Sequence, residues 1–268
     1  MVERNDTPRA ASGEEIRAKI ANKNLHNINI FTFTETDSTN TRAKERAKAA
    51  ASRESAVFIA DAQRCGRGRM GRSFVSRDGA GLFISFLIYP DETFGSGAAR
   101  ITAYAAVKAC EAIEKLSGLS PEIKWVNDIY LSGRKLAGIL TEGEVLQDGK
   151  FGYAVVGIGI NLTDISLGDE LDGITTNIER ECGRKIDKNA LAAALIDGFF
   201  TPDQSFMDKY RERSLVLGEK ITVKRISGEE FTATAVGITE SGALLVEYNG
   251  IREELISAEV SVRKITEE

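Results

Sequence analysis

The sequence predicts an α+β protein. A mixed, largely antiparallel sheet covered by helices fills about residues 28–213, and a small β-barrel follows from about Leu217. Three observations carry this prediction. Runs rich in β-forming residues are separated by Ala-rich helical stretches. Tight-turn pairs, Ser132-Gly133 and Asp148-Gly149, join several of the runs as hairpins. After Leu217 the texture changes to five short strands with glycine turns in about fifty residues. The domains are expected at 1–215 and 216–268.

Ser12 and Glu15 are placed as a capping box for a helix over Ser12–Ala21, and the residues before it read as frayed. INIFTFTET (28–36) alternates like a strand, and a polar, Ala-rich helix runs from Ser38 to about Ala51. AVFIAD (56–61) is a short buried strand. GLFISFLIYP (81–90) is another, ending at Pro90. Residues 96–117 form an amphipathic helix. EIKWV, DIYL and RKLAGILTEGEV follow as strands, then FGYAVVGIGINL. Residues 188–213 are helical with a break near Thr201-Pro202.

Acidic residues outnumber basic ones 40 to 35, so the chain is not a general nucleic-acid or membrane-surface binder. No apolar run approaches a membrane span, and the polar N-terminus lacks the apolar centre of a signal peptide. Three cysteines, Cys65, Cys110 and Cys182, are odd in number and far apart, arguing against a disulfide framework or zinc cluster. The expected location is cytoplasmic. His26 is the only histidine, which excludes multi-histidine metal centres and, unless it serves alone, Ser-His-Asp catalysis. It reads as structural.

QRCGRGRMGR (63–72) puts four arginines and three glycines into ten positions. Gly66, Gly68 and Gly71 match the dinucleotide fingerprint, but a strand follows Gly71 where that turn requires a helix. No Gly-Lys-Ser/Thr closes a Walker loop either. Residues 64–77 hold five arginines and no acid. They form either a solvated basic loop or an anion-gripping one, and the alternation of Arg67, Arg69 and Arg72 with glycine favours the second. Such a loop should lack fixed structure until a ligand supplies counter-charge. KWVNDIYLSGRKLAGIL (124–140) sets Lys124, Asn127, Asp128 and Lys135 at strand ends and turns, where they could neutralise a phosphate and help hold Mg²⁺; alone, it reads equally as a hairpin with a Lys–Asp surface pair. GIGIN (157–161) ends a buried strand at Asn161.

TDSTN, GRGRMGR, KWVND with GRKLAGIL, and GIGIN, in this order, resemble the catalytic domain of biotin–protein ligases over roughly residues 30–215. The C-terminal stretch resembles the small SH3-like barrel that ends many members. The resemblance implies a class II synthetase-like catalytic domain that activates biotin with ATP to biotinyl-5′-AMP. Biotin then passes to one lysine of a biotin carboxyl carrier protein domain. It further implies that Ser38, Thr39 and Asn40 bind the ureido head or shape its pocket, DSTN also suiting a helix N-cap. Gln63 would contact biotin; Gly66, Arg67, Gly68 and Arg69 would fold over the ligand; Arg72 would grip the nucleotide. Lys135 would bind carboxylate and α-phosphate oxygens, with Lys124 as second cation, so Arg69, Lys124 and Lys135 carry the catalytic role. Asp128 would orient a lysine or Mg²⁺, and Asn127 and Asn161 would be further candidates for ligand binding.

The chain departs from the family at three positions. The family often has arginine at Met70, proline at Val126 and tryptophan at Phe74. About thirty residues precede the first strand, too few for the DNA-binding domain that some members carry. The expected form therefore lacks that domain and binds no specific DNA. A homodimer is compatible with the resemblance. The alternatives are a lipoate or related acyl–protein ligase and a catalytically silent carrier-binding adaptor.

Overall fold

The computed structural model describes residues 11–49, 53–90, 97–147, 151–256 and 260–264. The Asp148-Gly149 turn, the frayed start and the end of the Ala-rich helix at Ala51 lie outside the described residues.

Helix α1 (Gly13–Lys19) shows half of the expected capping box: Ser12 Oγ accepts from Glu15 N, 3.4 Å away. The other half is supplied from a distance. Asn189 Oδ1 accepts from Ser12 N at 3.1 Å, and Asn189 Nδ2 donates to the Glu15 carboxylate at 2.8 Å. His26 Nε2 lies 3.1 Å from Ile20 O, a structural contact.

Strand β1 (Asn29–Thr36), helix α2 (Thr39–Ala49) and strand β2 (Ala56–Gln63) form a parallel unit. β3 (Gly81–Ile88) runs antiparallel to β2. Helix α3 (Ala98–Ser117) is rich in alanine and stops where Gly118 turns left-handed at φ +76°. β4 (Glu122–Lys124), β5 (Asp128–Leu131), β6 (Arg134–Val145) and β7 (Phe151–Asn161) complete a seven-stranded sheet in the order β1-β2-β3-β7-β6-β5-β4, antiparallel after β2. The expected Ser132-Gly133 turn is present, with both residues at positive φ.

Short helices α4 (Asp169–Asp172) and α5 (Ile178–Cys182) precede α6 (Lys188–Phe199) and α7 (Phe206–Glu212). Alternation explains why β2 and β3 are apolar at nearly every position: both faces are covered. Val57 and Ile59 join the large core that includes α3 and α6, while Ala56 and Phe58 pack with Ala43 of α2 on the other side.

Strands β8 (Lys220–Arg225), β9 (Glu230–Ile238), β10 (Leu244–Tyr248), β11 (Ile251–Leu255) and β12 (Val260–Lys264) stand where the small β-barrel is expected and form an antiparallel sheet ordered β11-β10-β9-β8-β12. Asn249-Gly250, both at positive φ, closes its β10–β11 hairpin. The module is tied to the main sheet. Trp125 Nε1 donates to Gly242 O at 2.9 Å, and Gly242, at φ +86°, packs so tightly on Ala99 that an added Cβ would lie 3.0 Å from its carbonyl carbon. Among the described residues no helix is long and apolar enough to cross a membrane.

Candidate active site

A cleft opens where the N-terminus of α2, the end of β2 and the start of β5 meet the face of β6 and β7. Its floor is made by missing side chains. Gly157 and Gly159 alternate on one face of β7, and Gly138 pairs with Gly159 from β6. A Cβ on Gly159 would stand 2.5 Å from the Phe74 ring, and one on Gly157 would stand 2.2 Å from Asn40 Oδ1. The Phe74 ring and the Asn40 amide therefore lie directly on the sheet. Phe74 also meets Phe83 edge-on at 6.3 Å, forming an apolar wall.

One end of the cleft is neutral and polar. Ser38, Thr39 and Asn40 are each 3–4% exposed, and Asp37 Oδ1 accepts from Ser38 N at 2.7 Å. Gln63 Oε1 takes the Thr39 amide at 2.8 Å, while Gln63 Nε2 donates to Ser76 Oγ at 2.9 Å. Ser85 Oγ touches both Thr39 Oγ1 and Asn40 Oδ1. Asn40 Nδ2 donates to Glu142. Burial alone would raise the Glu142 carboxyl, yet hydrogen bonds from Lys44 and Asn40, helped by the charge of Arg67, hold it below its ordinary value.

The other end is cationic. Arg67, Arg69, Arg72, Lys124 and Lys135 line it with a single carboxylate among the lining residues, that of Asp128. Lys135 Nζ lies 2.6 Å from Asp128 Oδ1. Lys124 stands over the Tyr130 ring, 5.3 Å from its centroid. Arg69 donates to Asn127 Oδ1 at 2.9 Å, and Asn127 Nδ2 donates to Ile139 O at 3.0 Å. Burial draws the Arg69 guanidinium below its ordinary value, with Asp128 pulling the other way. The segment before Asn127 carries a cis Trp125–Val126 peptide bond at the position where the family often has proline, and Tyr210 donates to Val126 O at 2.9 Å.

The basic loop departs from the expectation of an unstructured segment. It is a hairpin, bridged at Gln63–Ser76 and Arg67–Ser73 and closed by Gly68 N to Arg72 O at 2.7 Å. Met70 and Gly71, at φ +55° and +74°, make the mirror-image turn that suits a two-residue hairpin. Arg69 is therefore held at the tip of a defined element and latched to Asn127, where the sequence suggested a loop without fixed structure.

Twelve of the candidate residues line the cleft: Ser38, Thr39, Asn40, Gln63, Arg67, Gly68, Arg69, Arg72, Lys124, Asn127, Asp128 and Lys135. Two do not. Gly66 packs against the loop's return limb, where a Cβ would be 2.2 Å from Phe74 O, so its smallness serves the hairpin. Asn161 lies beyond the cleft's end, buried and donating to Thr176 O at 3.1 Å beside a smaller cavity. In GIGIN the glycines, and not the asparagine, build the cleft. Alternating glycines in an otherwise β-branched strand were the available signal. Glu142 and Ser85 carried no signal of their own. Among the described residues, no group of three or more His, Cys, Asp or Glu side chains gathers to hold a metal. With Asp128 committed to Lys135, the side chains present do not fit a protein-held Mg²⁺.

Fold and site together define a protein with a neutral, polar pocket on a glycine floor beside a cationic lip whose charge suits a phosphate ester. Residues 32–161 match the biotin/lipoate A/B protein ligase family, and residues 216–263 match the biotin protein ligase C-terminal domain. The chain is 32% identical to the biotin–[acetyl-CoA-carboxylase] ligase of Paracoccus denitrificans over 220 residues, covering 77% of this chain and 90% of that protein. It is also 32% identical to the bifunctional ligase/repressor BirA of Bacillus subtilis over 222 residues; the match covers 78% of this chain and spans only 66% of that relative's length. The biotin protein ligase from Aquifex aeolicus in complex with biotin and ATP has a similar fold, with a TM-score of 0.71 at 27% identity over 88% of this chain and 99% of that one. The chain belongs to the biotin/lipoate protein ligase family, on its biotin protein ligase branch.

Proposed function

We propose that the protein joins biotin to ATP, forming biotinyl-5′-AMP and pyrophosphate, and then passes biotin to a lysine of a biotin carboxyl carrier protein domain. The observation that carries this reading is the two-ended cleft: neutral donors and acceptors on a glycine floor, contiguous with five cations facing one carboxylate. In the first step the biotin carboxylate attacks the α-phosphorus and pyrophosphate leaves. The acceptor amine then attacks the acyl carbon and AMP leaves. Both nucleophiles come from substrates, which suits a site without a catalytic Ser, Cys or His. The protein supplies alignment and positive charge where the phosphate gathers negative charge.

In this reading Ser38, Thr39, Asn40 and Gln63 serve the ureido head, and Arg67, Gly68 and Arg69 cover the ligand. Lys124, Lys135 and Arg72 face the phosphates. Asp128 acts mainly by orienting Lys135, and any Mg²⁺ would have to come with the nucleotide and not be held by these side chains. The free thiols of Cys65, Cys110 and Cys182 agree with a reducing, cytoplasmic setting. Pyrophosphate exchange with biotin and with lipoate tests the reading. Exchange is expected with biotin; exchange with lipoate alone, or with neither, would replace it.

Two further outcomes follow. Gly159→Ala should displace the Phe74 ring and raise the KM for biotin by about 10-fold, an overpacking cost; an unchanged KM would remove Phe74 from the pocket wall. Biotin with ATP should slow hydrogen exchange in residues 64–77, because the hairpin gains counter-charge for its arginines. Equal exchange with and without ligands would show that the hairpin does not respond.

A further inference from the structure

We infer that Glu142 is a positioning residue for biotin, acting through Asn40 and Ser85 to set the direction in which the Thr39 hydroxyl points its proton. The inference rests on the proposed reading of the neutral end as the seat of the ureido ring.

The argument is one of counting protons. Glu142 Oε2 lies 2.8 Å from Asn40 Nδ2, and Glu142 Oε1 holds Lys44 Nζ at 2.7 Å. An ionised carboxylate has no proton to give, and neither has Leu140 O, 3.4 Å from the same Nδ2. Both neighbours therefore demand the NH₂ of Asn40, which turns Oδ1 the other way. Oδ1 lies 2.6 Å from Ser85 Oγ and can only accept, so the single proton of Ser85 goes to Asn40. Ser85 Oγ is also 2.7 Å from Thr39 Oγ1 and, its proton spent, must accept there. The Thr39 proton is thus drawn down to Ser85. Thr39 Oγ1 also lies within donating distance of Gln63 Oε1, at 3.1 Å the longer of its two contacts, and neither acceptor leaves the Thr39 proton facing the cleft.

What remains on Thr39 Oγ1 is lone-pair density facing the cleft that Thr39 lines. The ureido ring of biotin offers N–H donors on either side of a carbonyl. A lone pair at Thr39 accepts one of them; a proton there would oppose it. Ser85 is fully buried and Thr39 and Asn40 nearly so, so water does not readily reset the chain. The contact with Lys44 keeps Glu142 ionised, which fixes the start of the relay. Gly157 leaves the space in which the Asn40 amide sits.

Pyrophosphate exchange by Glu142→Gln, Ser85→Ala and the double variant Asn40→Asp/Glu142→Gln provides the test, with separate KM values for biotin and ATP. The wild type must first exchange with biotin; if it does not, the functional reading fails independently of this inference. Glutamine at 142 can present oxygen or NH₂ to Asn40, so the relay loses its direction. Glu142→Gln should raise the KM for biotin by about 10-fold while kcat and the KM for ATP stay within about 2-fold. The double variant should recover most of this, because an aspartate at 40 can only accept from Ser85 and the glutamine amide now donates. The wild type should also reject biotin methylated on one ureido nitrogen by about 100-fold, and Glu142→Gln should lose most of that rejection. Ser85→Ala, which removes the relay without touching a charge, should match Glu142→Gln and decides the matter if the latter does not fold. An unchanged biotin KM in the single variants, a parallel rise in both KM values, or no recovery in the double variant would overturn the inference.

Discussion

Lys135→Ala is expected to slow biotin adenylation by about 10²- to 10³-fold, as befits the loss of a charge-assisted contact worth roughly 2–4 kcal/mol in a partly dry site. The Lys135 side chain is only about a third exposed and its Nζ is held by Asp128 at 2.6 Å, so its charge is already oriented before any substrate arrives. Its backbone is pinned as well: Lys135 N donates to Ile174 O and Lys135 O accepts from Thr176 N. The alanine variant should therefore fold normally, and its defect should fall on single-turnover formation of the adenylate. Asp128→Asn keeps the cation but loosens it, and should cost less. If Lys135→Ala forms adenylate and labels carrier at near-normal rates, Lys135 has no part in the chemistry. A defect confined to the KM for biotin would move it from the phosphate end to the neutral end.

The second large effect is expected at Arg69. Biotinyl-5′-AMP is a mixed anhydride that acylates any amine it meets, so under the proposed function the protein has to retain it until the correct lysine arrives. The arginine hairpin is fastened across the cleft by Arg69, whose guanidinium donates to Asn127. Arg69→Gly removes this latch together with a charge beside the ligand, a loss of roughly 1.5–3 kcal/mol, on the order of 10- to 150-fold in residence time. The variant should still make the adenylate yet label an unrelated lysine-rich protein mixed with it. Asn127→Ala, which cuts the latch and keeps the charge, should share part of that phenotype. Wild-type levels of bystander labelling in Arg69→Gly, with carrier labelling intact, would mean that the hairpin does not retain the intermediate.

Local patterns were legible in the sequence wherever one segment held the whole message. The apolar runs of β2 and β3, the Ser132-Gly133 turn and the five short C-terminal strands depend on neighbours in the chain. The cationic end was legible for the same reason, since Arg67, Arg69 and Arg72 fall in one loop. What the sequence hid was set by distant partners. The Ser12–Glu15 capping box is completed by Asn189, and Asn40 is oriented by Ser85 and Glu142 from two other strands. The hairpin form of residues 64–77 was hidden differently. Weighing only its like charges predicts an unstructured loop, but Met70-Gly71 supplies the turn and Asn127 a partner for Arg69. Asn161 was misread because alternation puts it on the same face as Gly157 and Gly159 but one step past the cleft.

The bond from Trp125 to Gly242 has a practical bearing on how this protein can be cut and rebuilt. Trp125 sits between Lys124 and Asn127, so a turn of the last module helps brace the segment that presents two cleft residues. A reporter split near residue 216, with each piece fused to one of two interacting partners, would not leave a finished enzyme in the longer piece. Signal from the longer piece alone should be low. It should rise when the partners return the β9–β10 turn to the Trp125 indole, making the junction itself the switch. Full labelling by the longer piece alone would show that the brace is dispensable.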